Sequence, residues 1–143
     1  MPTTSQVRTR LRFAGLDHVT QPDGSGRVSV RLEWNGDTFE GVSGCLETPQ
    51  GVIRAASKAA LQAMLASAED VTSSDFDLEV AGVKAVRAFD GWVVVTRLSG
   101  SNASTSHRLL GAAPCEAEDD LPAAAVRAVL NASNRILGHR IAR

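Results

Sequence analysis

The chain has 143 residues, enough for one domain that buries about 70% of its unfolded surface without help from a metal or a disulfide. Its 15 Lys and Arg residues against 16 Asp and Glu residues leave a net charge of −1, which excludes a global field that attracts nucleic acid or anionic lipid. Two cysteines exclude a secreted disulfide framework, and 4% aromatic residues are too few for a base-stacking surface.

The first predicted element is a half-buried strand. Val7, Leu11 and Phe13 alternate with arginines, which is the period of two that such a strand shows. At Ala14-Gly15 the apolar residues move from one set of alternating positions to the other, which predicts a β-bulge. Asp23-Gly24 then predicts a turn, because Gly adopts positive φ easily and Asp hydrogen-bonds its own backbone.

Two further strands and a helix complete the first half. VSVRLEW at 28–34 alternates apolar and polar residues, so one face of this strand is expected to lie in water, and Asn35-Gly36 predicts a tight hairpin into TFEGVSG. Thr48 is the predicted helix N-cap, with Pro49 at the first helical position and Arg54 and Lys58 pointing outward. The predicted buried stripe of this helix is Ile53, Ala56, Ala60, Leu61, Met64 and Ala68.

The second half predicts the same order of elements. Ala81-Gly82 repeats this shift in the alternation, and Asp90-Gly91 repeats the turn. A mobile surface loop is predicted for SGSNASTS at 99–106. The last helix is predicted to begin near Asp119-Asp120 and to end before Gly138.

The strand WVVVTRL at 92–98 differs from its counterpart in the first half. Apolar residues lie on both of its faces, whereas the strand at 28–34 has one polar face. An apolar face usually marks an interface, so another element or subunit is expected to cover Trp92, Val93 and Val95.

Two blocks of sequence recur at a nearly constant offset. LRFAGLDHVTQPDG at 11–24 matches LEVAGVKAVRAFDG at 78–91 at six of fourteen positions, with an offset of 67. KAALQA at 58–63 matches RAVLNA at 127–132 with an offset of 69. A third match lies between them, since Gly41 and Cys45 correspond to Gly111 and Cys115 at an offset of 70.

Three matches in the same order predict a tandem duplication. We therefore predict an α+β fold in one domain, residues 1–143, with βββα units at 7–69 and 75–138. Each unit is an antiparallel three-stranded sheet packed with one helix, and a pseudo-twofold axis relates the two. A single unit of this size is a marginal globule, which favours a shared core.

The last helix carries a family-like pattern. AAAVRAVLNASNRIL at 123–137, together with the two βββα copies, resembles the C-terminal regulatory domain of 2-isopropylmalate synthase and its citramalate synthase relatives. The resemblance implies a domain that dimerises and binds an end-product amino acid near the glycine turns and helix starts. The catalytic barrel of that family is absent, because such barrels need about 200 residues or more.

The predicted ligand site lies at the two helix starts, where unpaired N–H groups favour a carboxylate or phosphate. In the first unit it comprises Gly41, Ser43, Gly44, Thr48, Gln50 and Gly51, and in the second Gly111, Asp119 and Asp120. The acids of the second unit repel an anion and suit an amino group. The alternative is that these segments are a capped helix and a solvated acidic face, with no ligand.

Cysteines and histidines give no metal-site spacing in the sequence. Cys45 and Cys115 occupy equivalent positions and are interpreted as buried small apolar residues near the pseudo-axis. His18, His107 and His139 are scattered and predicted to be surface residues. We therefore predict no metal and no cofactor.

These observations predict a non-catalytic small-molecule-binding regulatory and dimerisation module that senses an amino acid or small carboxylic acid as a homodimer. The alternative is a structural or protein–protein interaction module without a metabolite ligand. An enzyme is not expected, because no nucleophile–base pair or phosphate-binding glycine loop is present. No apolar run reaches the ~20 residues that span a bilayer and no signal-like segment opens the chain, so a cytoplasmic protein without membrane or nucleic-acid partners is expected.

Overall fold

The computed structural model describes residues 11–68, 77–101 and 106–141. The first unit consists of β1 (Arg12–Thr20), β2 (Gly26–Trp34), β3 (Asp37–Cys45) and α1 (Pro49–Ala68). The second consists of β4 (Asp77–Ala88), β5 (Gly91–Ser101), β6 (Ser106–Cys115), a 3₁₀ turn (Glu118–Asp120) and α2 (Leu121–Ile141). Each set of three strands forms one antiparallel sheet in sequential order, so the predicted α+β fold with a repeated βββα unit is confirmed.

Both predicted bulges are present at equivalent positions. The pairing of β1 with β2 shifts between Phe13 and Gly15, and the pairing of β4 with β5 shifts between Val80 and Gly82. The extra residue in each strand is the alanine before the glycine. The repeat found in the sequence therefore includes the β-bulges as well as the regular strands.

Two of the three predicted turns have the expected residues at positive φ. Asn35 and Gly36 have φ of 54° and 86°, as a two-residue type I′ hairpin requires, and Gly24 has φ of 91°. The turn between β4 and β5 is one residue earlier than predicted. It uses Phe89 and Asp90, with φ of 53° and 61°, while Gly91 already pairs with Ala88 in the sheet.

The second unit departs from prediction at two more places. β5 continues to Ser101 and β6 begins at Ser106, so the connection predicted at 99–106 contains only residues 102–105, which lie outside the described residues. α2 runs to Ile141 instead of ending before Gly138, since a single glycine costs a helix only about 1 kcal/mol. Within the described ranges, neither helix has a stretch both long and apolar enough to cross a lipid bilayer.

One hydrophobic core joins the two units. α1 packs on β2 and β3 of its own sheet and also contacts α2 and β4 of the second unit. On β2, the buried face carries Val28, Val30 and Leu32, as the alternation predicts. Five members of the buried stripe predicted for α1 are buried, which confirms the prediction for Ile53, Ala56, Ala60, Leu61 and Met64. The side chain of Ala68, the sixth member, lies outside the part of the chain that the structure describes.

Glycine lets each helix lie very close to its sheet. A Cβ at Gly41 in β3 would meet the backbone oxygen of Ala59 and the backbone nitrogen of Ala63 in α1. A Cβ at Gly111 in β6 would likewise meet the backbone of α2, at Ala128 and Ala132. The matched glycines of the repeat are therefore positions of close helix–sheet packing.

Candidate functional site

A cleft of about 410 Å³ lies between the start of α1 and the start of α2. It is lined by His18, Pro49, Val52, Ile53, Glu118, Asp119, Leu121 and Pro122. Both helices supply apolar side chains, while His18 comes from β1 and the two acids come from the 3₁₀ turn. The cleft therefore combines an apolar wall with an imidazole and two carboxylates.

The two ends of the cleft differ in polarity. At the α1 end, Thr48 accepts a hydrogen bond from the Gly51 N–H (2.9 Å), which confirms Thr48 as the N-cap, and the helix presents the positive end of its dipole. At the other end, Glu118, Asp119 and Asp120 form the acidic first turn before α2. An anion is favoured at the first end and a cation at the second.

The residues predicted around the first helix start are held by structural contacts. Thr48 caps α1, and a Cβ at Gly51 would meet the Leu46 carbonyl and the Thr48 hydroxyl. Gln50 donates a hydrogen bond from Nε2 to the backbone oxygen of Val83 in β4 (2.9 Å), which ties the first helix to the second sheet. None of these three residues lines the cleft.

The other predicted site residues lie in three different environments. Gly41 and Gly111 are buried beneath their helices, and Ser43 is half-buried with its hydroxyl donating to the Gly44 carbonyl (3.1 Å). Asp120 is exposed beside the cleft. Of the residues predicted as ligand contacts, the structure brings Asp119 into the cleft.

A polar cluster that the sequence analysis did not identify lies next to the cleft. His18 Nε2 lies 2.7 Å from Oε2 of Glu47, and the Cys45 thiol lies 3.7 Å from the same oxygen. Thr20 donates a hydrogen bond to the other carboxylate oxygen, Oε1, at 3.2 Å. Cys45 packs against the hydrophobic core, as predicted for a small apolar residue, but it is only half-buried and also contacts a carboxylate.

These contacts shift the titration of two groups. The hydrogen bond from His18, and a weaker one from Thr20, lower the pKa of Glu47 below its ordinary value. Burial, followed by the negative charge of Glu47, raises the pKa of the Cys45 thiol. A thiol with a raised pKa stays protonated at neutral pH and is a poor nucleophile.

The equivalent thiol in the second unit has different neighbours. Cys115 is half-buried and donates to the carbonyl of Ala117 (3.4 Å). Its pKa is also raised, first by burial and then by the charge of Asp120. The side chains of His107 and His139 lie outside the described set, so their predicted surface position stays a prediction.

No protein-family model matches the chain, and no curated protein is similar to it in sequence at a significant level. The resemblance to the synthase regulatory domain therefore depends on the repeated βββα order and on the pattern in the last helix.

Proposed function

We propose that the chain is a non-catalytic regulatory module that binds an amino acid, or a related small carboxylic acid, in the cleft between the helix starts. The observation that carries the proposal is the opposite polarity of the two ends of the cleft. The carboxylate of an amino acid fits the positive end of the α1 dipole, and its ammonium group fits Glu118 and Asp119.

The size and the apolar wall of the cleft support the same class of ligand. Small-molecule sites typically occupy about 300–1,000 Å³ and combine apolar surface with a few convergent polar groups. Val52, Ile53 and Leu121 offer the apolar surface for a side chain of modest size. The resemblance to a domain that binds an end-product amino acid points in the same direction.

A thermal-shift screen of the full chain against the standard amino acids and their 2-oxo acids tests this proposal. A ligand present at 100 times its Kd adds about 2.7 kcal/mol of stability, which raises the unfolding midpoint of a chain this long by roughly 9 °C. If no compound shifts the midpoint at millimolar concentration, the proposal fails.

A matched pair of variants locates the site. Asp119→Asn removes a carboxylate that lines the cleft, whereas Asp120→Asn removes an exposed neighbour that does not. We expect Asp119→Asn to weaken the binding of amino acids and to leave the binding of 2-oxo acids unchanged, because 2-oxo acids have no ammonium group. Equal effects of the two variants contradict the assignment.

The second candidate, an interaction module without a metabolite ligand, is favoured by the outer face of the second sheet. Val93 lies between Val86 and Pro114 on neighbouring strands, and Val95 lies between Lys84 and Ala112. These positions alternate with the fully buried Val94, Thr96 and Leu98, which face the helix. Trp92 alternates with Val93 and therefore lies on the helix side.

The same face of the first sheet is more polar, although it exposes Val19 at 57%. Arg31 forms an ion pair with Asp17 there at 2.7 Å. By contrast, the second sheet exposes Val86 at 41% and Leu110 at 68%, and Phe89 is 99% exposed at positive φ at the tip of its hairpin. An exposed aromatic residue in a strained turn is a typical binding feature. A second copy of this chain is the proposed occupant, which makes the module a homodimer.

Light scattering across a concentration series tests the homodimer. Val95→Gln places a polar side chain on the apolar face, and Ser29→Gln, which introduces the same residue at the equivalent position of the first sheet, replaces one polar side chain by another. A dimer that Val95→Gln dissociates and Ser29→Gln preserves supports the interface. A monomeric wild-type chain rules it out.

A further inference from the structure

Three side chains of different metal-binding types meet at one end of the first sheet. The ligand atoms of His18, Cys45 and Glu47 all lie within 4.8 Å of one another. In the part of the chain that the structure describes, no other group of three His, Cys, Asp or Glu side chains meets this condition. Nitrogen, sulfur and oxygen donors of these kinds are the ligands that Zn²⁺ prefers in proteins.

The distances are close to those of a tetrahedral site. With Zn–N and Zn–O bonds of about 2.0 Å and a Zn–S bond of about 2.3 Å, tetrahedral ligands lie about 3.3 Å apart for N and O and about 3.5 Å apart for S and O. His18 Nε2 and Glu47 Oε2 are 2.7 Å apart, and Cys45 Sγ and the same oxygen are 3.7 Å apart. The nitrogen–oxygen pair therefore has to open by about 0.6 Å and the sulfur–oxygen pair to close by about 0.2 Å to reach tetrahedral spacing.

A glycine in β2, the strand between β1 and β3, leaves space for the three polar side chains. Gly26 in β2 pairs with Thr20 on one side and with Cys45 on the other. A Cβ at Gly26 would lie 2.6 Å from Cys45 Sγ and 2.8 Å from Cδ of Glu47. Any other residue at this position therefore displaces the cluster.

The second unit provides an internal comparison. Cys115 is retained, but it pairs with Trp92 where Cys45 pairs with Gly26. By the offsets of the repeat, Ala85 and Ala117 stand where the first unit has the imidazole and the carboxylate. The second unit therefore forms the same fold without the other two donors, so those donors call for a separate explanation.

From this arrangement we propose that His18, Cys45 and Glu47 bind one divalent transition-metal ion, with Zn²⁺ as the best fit. Thr20 donates a hydrogen bond to Oε1 of Glu47, the oxygen that does not contact His18, and so orients the carboxylate. Three protein ligands leave a fourth coordination position open. The His18 and Glu47 side chains are 32% and 26% exposed, which gives a metal ion access from solvent.

Cobalt substitution tests the site directly. The full chain is freed of metal with a chelator, kept reduced, and titrated with Co²⁺ and then with Zn²⁺. We expect one Co²⁺ per chain, with the thiolate-to-cobalt charge-transfer absorption that a Cys ligand produces, and stoichiometric displacement by Zn²⁺. If Co²⁺ gives no charge-transfer absorption, the proposal is wrong.

Cys45→Ser and Cys115→Ser are matched variants at equivalent strand ends. Cys45→Ser is expected to remove the charge-transfer absorption, and Cys115→Ser to retain it. Glu47→Gln is expected to weaken Zn²⁺ binding by at least about tenfold in a chelator competition, and Thr20→Val by about ten- to hundredfold as a supporting residue. Equal affinities of wild type and Glu47→Gln mean that the three groups form only a hydrogen-bonded cluster.

Because His18 also lines the ligand cleft, the two proposals need separate readouts. Cys45 does not line the cleft, so Cys45→Ser is expected to lose the metal and to keep amino-acid binding in chelator-treated protein. Failure of either assay then leaves the other interpretable.

Discussion

Gly41→Ala tests the close packing of α1 on the first sheet. A Cβ at this position would lie 2.9 Å from both the carbonyl carbon of Ala59 and the amide nitrogen of Ala63, and nearer still to the Ala59 oxygen. All of these atoms belong to the helix backbone and cannot rotate away as a side chain does. Ordinary contacts between such atoms are about 3.5–4.0 Å, so the helix has to move away from the sheet by roughly 1 Å.

The magnitude follows from overpacking in a closely packed core. Inserting a methyl group into such a core costs about 1–3 kcal/mol, and we expect the upper end because the displaced helix carries fully buried residues along its length. At about 2.1 cal/mol/K of unfolding entropy per residue, a loss of about 3 kcal/mol lowers the midpoint of a 143-residue chain by roughly 10 °C.

Gly44→Ala on the same strand is the matched control. Its Cβ would meet only the Gly26 oxygen, at the ordinary distance of 3.8 Å. We expect this variant to stay within about 0.5 kcal/mol of wild type, as measured by scanning calorimetry and urea titration. If Gly41→Ala loses no more stability than Gly44→Ala, the helix is not seated on this glycine and the reasoning fails.

Four other changes have defined outcomes. Thr48→Ala removes the cap of α1 and should cost about 0.5–2 kcal/mol in urea titration, with recovery in Thr48→Ser. Gln50→Ala breaks the hydrogen bond between the units and should cost about 1 kcal/mol; no change argues that this bond contributes nothing. The hydroxyl of Thr96 is buried without a partner among the described residues, so Thr96→Val should raise stability by about 1–2 kcal/mol, and a loss contradicts this. Hydrogen bonds from the hydroxyl and the backbone N–H of Ser25 lower the pKa of Asp23. The ionised Asp23 carboxylate therefore stabilises the fold above its ordinary pKa of 3.8, and this stabilisation is lost as the pH falls through the lowered pKa. Ser25→Ala should raise the pKa of Asp23 in a carboxyl NMR titration, and an unchanged pKa contradicts this.

The regular parts of the fold could be predicted because local patterns determine them. The shifts in alternation at Ala14-Gly15 and Ala81-Gly82 mark real bulges, and Asn35-Gly36 forms the expected hairpin. The turn at 89–90 was misplaced because Phe and Asp rarely adopt positive φ, while the glycine that follows looks like the better candidate. There, pairing of the flanking strands outweighs the local preference.

The candidate sites were harder to predict, because they depend on contacts between distant parts of the chain. Gly41 and Gly111, two of the glycines predicted to bind ligand, pack against helix backbone, and a sequence pattern cannot distinguish this role from ligand binding. His18, Cys45 and Glu47 come together only because β1 and β3 both pair with β2 at one end of the sheet. Their spacing along the chain carries no such signal.

Gly26 and Trp92 distinguish two otherwise similar units. Each occupies the central strand beside a cysteine, yet one leaves space for polar groups and the other fills that space with an indole stacked against Arg87 at 5.2 Å. The two units therefore share one architecture, while the polar donors His18 and Glu47 are present only in the first. Under the proposed metal site, the combined changes Ala85→His, Ala117→Glu and Trp92→Gly should create a second Co²⁺-binding site in the second unit.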